Sequence, residues 1–285
     1  MRSNKNKYVL IEMLGMAFLS SAGIWVKLSN IGPISMGFYR MLFTLIILFP
    51  FMYKSLKNVT KKQFLLAFLG GMGLGGDVLF WNVGLMKTSM ADCALMVNLT
   101  VFIVPPISFI LFKEKIRKEF LIGALIAFVG VVMVIFSSAK GGGQSSVLGN
   151  FIAMLASVSY AGYVLFVYKV RDNLNNNAVV MISTLGAMVV LFMAMVPIEG
   201  IANKFDLREL VIVLMYTICT QILGQALVSM CLGKLNATLV TVISLMGIGI
   251  ASLYAYIIFG EKLVPIQILG MIITIVGVFM AKEAS

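Results

Sequence analysis

Two ionisable side chains, Arg40 and Asp77, stand inside long apolar runs, FYRMLF and GLGGDVLFWN. If those runs cross a bilayer, an ion at the centre costs at least about 2.5 kcal/mol, so one that is retained needs a partner, water or a task. Arg40 lies about seven residues from the outer end of its run and Asp77 about nine, so at ~1.5 Å per residue their depths agree within one turn. Matched depth allows an ion pair, either as a packing element or as part of a substrate-binding or gating site. Trp81, four residues after Asp77, shares its helix face, and Asn82 sits ~100° further round. Gln221 and Gln225 repeat the four-residue spacing, and Tyr160 and Tyr163 mark another run. Such mid-helix groups suit a polar cavity, while hydrogen bonding between helices or interfacial anchoring accounts equally well for any one of them. Glu12 falls about one turn into the first run. Glu114 and Glu261 each precede a Lys at the end of a run. These three carboxylates are the candidates for coupling or gating.

Other chemistry is excluded by what the chain lacks. It has no His, which removes His-ligated metals, His bases and His proton relays. Cys93, Cys219 and Cys231 show neither a CxxC nor a paired spacing, so they suggest no disulfide and no metal. No cofactor is implied. GLGGD invites comparison with the GxGD of intramembrane aspartyl proteases, but Leu74 replaces the glycine and Asp92, at a helix start, suits no dyad. There is no GxSxG and no HExxH. An intramembrane enzyme is therefore the weakest reading, and a passive channel is a closer competitor to a carrier.

The chain that positions these residues is 61% hydrophobic and 12% charged over 285 residues, with a net charge of +11. A soluble domain runs near a quarter charged, so the expected solvent is lipid. Lys and Arg fall between apolar runs rather than on one patch with aromatics, which argues against a nucleic-acid partner. At roughly 20 residues per crossing there is material for ten spans and no soluble domain. Breaks in hydropathy place them near 8–28, 33–53, 64–86, 90–112, 120–137, 147–168, 178–197, 210–230, 237–259 and 265–281. The basic N-terminus precedes a run without a clear cleavage site, so the first helix is read as retained. With both termini inside, the inner loops hold fifteen of the 22 Lys and Arg and the outer loops six, leaving Arg40 in a span. That bias puts both termini in the cytoplasm of a cell whose cytoplasmic membrane, prokaryotic by expectation, houses the protein.

The stretch FKEKIRKEFLIG from Phe112 returns as FGEKLVPIQILG from Phe259, and the same shift of 147 superposes Gly130 on Gly277 and Lys87 on Lys234. Two repeats follow, 1–139 and 147–285, joined by a Gly-rich linker at 140–146. Five helices is an odd number, so repeats of five must lie in opposite orientations. TSMADCALMVNLTVFIVPPISFILFKEKI from Thr88, LNATLVTVISLMGIGIASLYAYIIFGEKL from Leu235 and the FYRMLF segment together resemble the drug/metabolite transporter superfamily, specifically its EamA-type ten-helix members. The resemblance implies alternating access around a cavity lined by helices one, three, four, six, eight and nine. It implies a small-molecule substrate, from a range that includes amino acids, amines, sugars, nucleotides and drugs, with a proton or ion as a candidate coupling partner. Ser252 stands where the first repeat has Pro105, so a proline kink in the fourth helix is expected to be missing from the ninth.

Overall fold

The structure, a computed structural model, describes residues 2–85, 87, 96–113, 117–138, 146–171, 173–200, 206–259 and 265–284. Those residues contain no strand. The first half comprises α1 (Arg2–Ser20) and α2 (Ala22–Leu28), α3 (Pro33–Met52) with a 3₁₀ turn at Tyr53–Leu56, α4 (Lys61–Leu85), α5 (Thr100–Phe112) and α6 (Lys118–Ser138). The second comprises α7 (Val147–Arg171), α8 (Asn176–Ile198) and α9 (Leu207–Tyr216), which runs through a π-helical segment (Thr217–Gln225) into α10 (Ala226–Leu232). It ends with α11 (Ala237–Ser244), α12 (Met246–Phe259) and α13 (Pro265–Ala284).

Local sequence explains where these helices start. Pro33 opens α3, where its missing N–H and fixed φ cost nothing. Side-chain oxygens of Asn175, Asp206 and Asn236 accept the first free N–H groups of α8, α9 and α11. Among the described residues seven helical stretches, from Lys5–Val26 to Ala237–Ile258, are long and apolar enough to cross a bilayer. Their outer surface is apolar too: Phe51, Met193 and Ile257 are 79%, 71% and 72% exposed. Water would not tolerate that surface, and helices are the form in which hydrocarbon accepts a backbone. The chain is an all-helical integral membrane protein.

The contact between α6 and α13 reports the relation between the halves. A Cβ added at Gly130 would stand 2.5 Å from the Thr274 nitrogen and 2.6 Å from the Gly270 oxygen. One added at Gly277 would strike the Ala127 nitrogen and stand 2.6 Å from the Gly123 oxygen. Shifting by 147 turns Gly130 into Gly277, Gly123 into Gly270 and Ala127 into Thr274, so each set of contacts becomes the other. Such a self-exchanging contact is what a two-fold axis produces. Low numbers in α6 meet high numbers in α13, so these equivalent helices run antiparallel.

By expected span, α1–α2 is the first helical rod, α4 the third, α7 the sixth and α9–α10 with the π segment the eighth. The fourth rod (96–112) and the ninth (α11–α12) are broken at matching places. Leu99 donates its N–H to the Met96 carbonyl (3.2 Å) and Leu245 to that of Val242 (3.2 Å). Phe102 then donates to Leu99 (2.9 Å) and Ile248 to Leu245 (3.4 Å). These steps span three residues where an α-helix spans four. The expected difference between Pro105 and Ser252 therefore does not separate the rods: both break six or seven residues earlier, where no proline stands. Thr100 and Ser244 bond back to carbonyls three residues before them (2.8 and 2.6 Å), the mechanism by which Ser and Thr bend membrane helices.

Glu114, Glu261 and Asp92 lie outside the described residues, as does most of the Gly-rich linker. The clasp yields the first prediction. Gly277→Ala should cost about 1–3 kcal/mol through overpacking and lower the melting temperature in detergent. Gly162→Ala, with nothing within 4 Å of the added carbon, should leave it unchanged.

Candidate functional site

Arg40 is 4% exposed, and its side chain turns toward the eighth rod. Nη1 donates to the Tyr216 hydroxyl (3.1 Å) and to Thr220 Oγ1 (3.4 Å), and Cζ lies 5.0 Å from the Tyr216 ring centroid. That is a cation–π contact reinforced by hydrogen bonds. No ion pair joins Arg40 to Asp77, so the pairing expected from their matched depths is corrected, although Asp77 stays within range of the guanidinium's charge. The reason is rotational. Val78 is the α4 side chain that meets α3, at Gly37, and Asp77, one position earlier, projects ~100° away.

Asp77 falls one turn beyond Gly73 and so shares its face. Gly73 packs on Ser159 and Tyr163 of α7, where a Cβ would lie 2.7 Å from the Ser159 oxygen. Asp77 is half-buried and makes no hydrogen bond among the described residues. Tyr160, also half-buried, stacks with Tyr163 at 5.8 Å between centroids. It lies within electrostatic reach of Asp77, Tyr163 and Glu12 together. Tyr163 is fully buried, and its hydroxyl has no hydrogen-bond partner among the described residues. Gln225 and Ser229 approach it without reaching hydrogen-bond geometry.

Glu12 completes the group from α1. It is 0% exposed, and neither carboxylate oxygen has a partner among the described residues. The neighbouring Cys231 thiol donates to the Tyr8 carbonyl (3.3 Å). Gly15 brings α1 close enough to achieve this burial, because a Cβ there would lie 3.1 Å from Leu227 and 3.3 Å from the Gly224 oxygen. The first, third, sixth and eighth rods, drawn from both halves, thus converge on Asp77, Tyr160, Tyr163, Glu12 and Gln225. A buried polar group without a partner costs about 1–3 kcal/mol. Four side chains in one place, Glu12, Tyr163, Gln225 and Ser229, each keep such an atom.

The other expected residues serve different ends. Asn82 donates to the Pro33 carbonyl (2.9 Å) and ties α4 to the start of α3. Gln221 donates to Thr184 Oγ1 (3.2 Å) on α8, leaving its own carbonyl oxygen unpartnered. Trp81 is half-buried beside Asn82.

Three features were not foreseen. The π-helical segment spreads Thr220, Gln221 and Gln225 toward α3, α8 and α7, a device often found at functional sites. Thr217 and Thr220 bond back to Val213 and Tyr216 (2.8 and 2.7 Å), so the TICTQ sequence held that signal. Glu199 accepts from the Ile34 and Ser35 amides (2.9 and 2.7 Å) and the Ser35 hydroxyl (2.7 Å), capping α3 from the other half. Glu209, 4% exposed, accepts from Ser29 Oγ (2.7 Å) and from two Asn30 nitrogens (3.0 Å each). Both are loop-adjacent acids whose partners are some 165–180 residues distant, and no local pattern exposes such pairs.

A sequence profile of the EamA-like transporter family matches residues 6–136 and again 147–282. A crystal structure of a protein 15% identical in sequence matches at a TM-score of 0.80 over 96% of this chain and 97% of that one, which shows a shared fold. No curated protein matches the chain.

The Arg40 geometry makes the second prediction. In a double-mutant cycle, Arg40→Met and Tyr216→Phe should couple by about 1.5–3 kcal/mol, the range for a hydrogen bond to a charged group. Strictly additive losses of stability would show that the guanidinium gains nothing from the Tyr216 hydroxyl.

Proposed function

The chain belongs to the EamA-like transporter family, and from that premise we propose that it is a secondary transporter of a small polar or amphipathic metabolite bearing an amine. The full arrangement in this reading is ten transmembrane helices in two inverted five-helix repeats, with α5, α6 and α13 as the spans beyond the seven long ones. The antiparallel clasp of α6 with α13 supports the inversion. The lysine and arginine bias supports both termini in the cytoplasm and a cytoplasmic-membrane location. The protein catalyses no bond change and needs no cofactor.

The observation that carries the substrate class is Asp77: a half-buried carboxylate without a hydrogen bond among the described residues, within electrostatic reach of Tyr160, which stacks on Tyr163. A carboxylate next to aromatic faces is the chemistry that holds an ammonium in a dry site. Trp81 extends this wall. Arg40, whose charge reaches Asp77, offers an Nε–H without a partner among the described residues, which suits the carboxylate of an amino acid. Gln225 and Gln221 add amide groups from the eighth rod. Glu12, deeper and enclosed, is the coupling group: it exchanges a proton or accepts a cation as the cavity changes the side to which it opens. Glu114 and Glu261 act at the rod ends as gating charges.

Uptake or exchange of amines and amino acids in proteoliposomes tests this reading. Asp77→Asn should remain folded and lose amine flux at least about tenfold, the equivalent of ~1.4 kcal/mol. Glu12→Gln should retain counter-exchange but lose response to an imposed pH gradient. Undiminished amine flux in Asp77→Asn would sink the proposal, and unitary currents would replace the carrier with a channel. For topology, reporters fused after Lys57 or Lys118 should lie in the cytoplasm and one after Gly142 outside. A cytoplasmic signal after Gly142 would end the inverted arrangement.

A further inference from the structure

A groove of about 450 Å³ opens on the lipid-facing side between α3, α4 and α8, and neither Asp77 nor Glu12 lines it. Its walls are apolar throughout: Leu45, Phe49 and Leu56 on one side, Phe64 at the end, Met181 and Leu185 on the other. Leu45 lies seven residues inside the end of α3, so the groove reaches on the order of 10 Å inward, much of the depth of a single ~15 Å leaflet.

The mouth of the groove is the turn between α3 and α4. Lys54, Lys57, Lys61 and Lys62 stand there, all exposed, and two flank wall residues directly: Lys57 follows Leu56, and Lys61 precedes Phe64 by one turn. The sequence has no acidic residue between Glu12 and Asp77, so nothing on these helices compensates them. The turn is held in place. Thr60 and Gln63 form a reciprocal cap (2.9 and 3.3 Å), and Gln63 donates onward to the Asn173 carbonyl (2.8 Å). The start of α4 adds the positive end of a 25-residue helix.

We propose that this groove and its lysine mouth bind one anionic phospholipid, with an acyl chain along Phe49, Leu185 and Met181 and the phosphate among Lys54, Lys57, Lys61 and Lys62. The apolar walls take a hydrocarbon chain, and four ammonium groups at one end, on helices that carry no acidic residue beside them, choose an anionic headgroup over a zwitterionic one. The site is separate from the transport cavity, so its test does not depend on the transport reading.

The test uses the purified full-length chain, stripped of lipid and then given phosphatidylglycerol or phosphatidylcholine with identical acyl chains, and native mass spectrometry reads the bound lipid. Phosphatidylglycerol should be retained at least about fivefold better, the yield of one lysine near a charged headgroup, and added salt should shrink that preference. Lys54→Gln/Lys57→Gln/Lys61→Gln/Lys62→Gln should bind both lipids alike, and Leu185→Trp, which fills the groove, should bind less of either. Equal retention by the unaltered protein, a preference that salt does not change, or a preference surviving in the quadruple variant would overturn the site. So would a dimer whose formation displaces the lipid, since a second copy would then be the occupant. The salt series needs no variant, so the proposal stays testable even where a substitution impairs folding.

Discussion

Gly123, Gly130, Gly270 and Gly277 let two helix backbones touch without side chains between them, and much of the molecule follows from that contact. In hydrocarbon there is no gain from burying one apolar helix against another, so association relies on van der Waals packing at short range. A Cβ at Gly123, Gly130 or Gly277 would intrude on backbone atoms of the partner helix. Because the contact exchanges with itself under the shift of 147 residues, it fixes one repeat relative to the other. The same exchange relates other pairs: α3 meets the π segment through Arg40 and Thr220, while α4 meets α8 through Gly71 and Ser183. Two halves with related sequences thus build one interior.

The interior departs from symmetry where its polar groups lie. In the third rod, closeness is achieved with Gly70, Gly71, Gly73, Gly75 and Gly76, and the helix stays regular from Lys61 to Leu85. Its mate, the eighth rod, has threonines and glutamines at that depth and winds into a π-helix. One rod therefore offers a flat packing face and the other a fan of donors and acceptors. That asymmetry puts Arg40 on Tyr216 and leaves Asp77 facing α7. It also leaves Glu12, Tyr163 and Gln225 with polar atoms that no described residue satisfies. A stable core would not retain such atoms without some use for them.

Much of this was legible in the sequence, and the limit of legibility is physical. The spans and their ends follow from hydropathy, because lipid demands about 20 apolar residues per crossing. Val147, Ala237 and Pro265 begin helices where the reading put them. The repeat followed from shared Phe, Glu, Lys and Gly at one shift. Depth along a helix was also readable, and Arg40 and Asp77 do sit at similar depths. Rotation about the axis was not: a shift of one residue turns a side chain by ~100°, and Val78 rather than Asp77 meets α3. For the same reason Asn82 became a tie to Pro33 instead of a cavity group. The roles of Glu199 and Glu209 depend on contacts between distant segments, which a single sequence does not display.

The matched breaks at Leu99 and Leu245 connect this frame to movement. A continuous α-helix resists bending because each turn is bonded to the next. Where one step shortens to three residues, the two halves of a rod can change their angle at little cost. Both breaks fall in rods that meet across the two-fold relation, one from each repeat. The inward half of the ninth rod is buried, from Ala237 to Ile243, whereas Tyr256, Ile257 and Ile258 beyond its break face outward. A swing at Leu245 would therefore move a lipid-facing arm against a fixed, buried stem. Under the proposed inverted arrangement, the same swing at Leu99 would move an arm at the opposite membrane surface. Opening one side while the other stays shut then needs no new structural element, only unequal angles at two equivalent breaks. Under the proposed transport cycle, what decides between the two angles is the state of the unsatisfied polar groups between them, with Glu12 and Asp77 as the carboxylates placed there among the described residues.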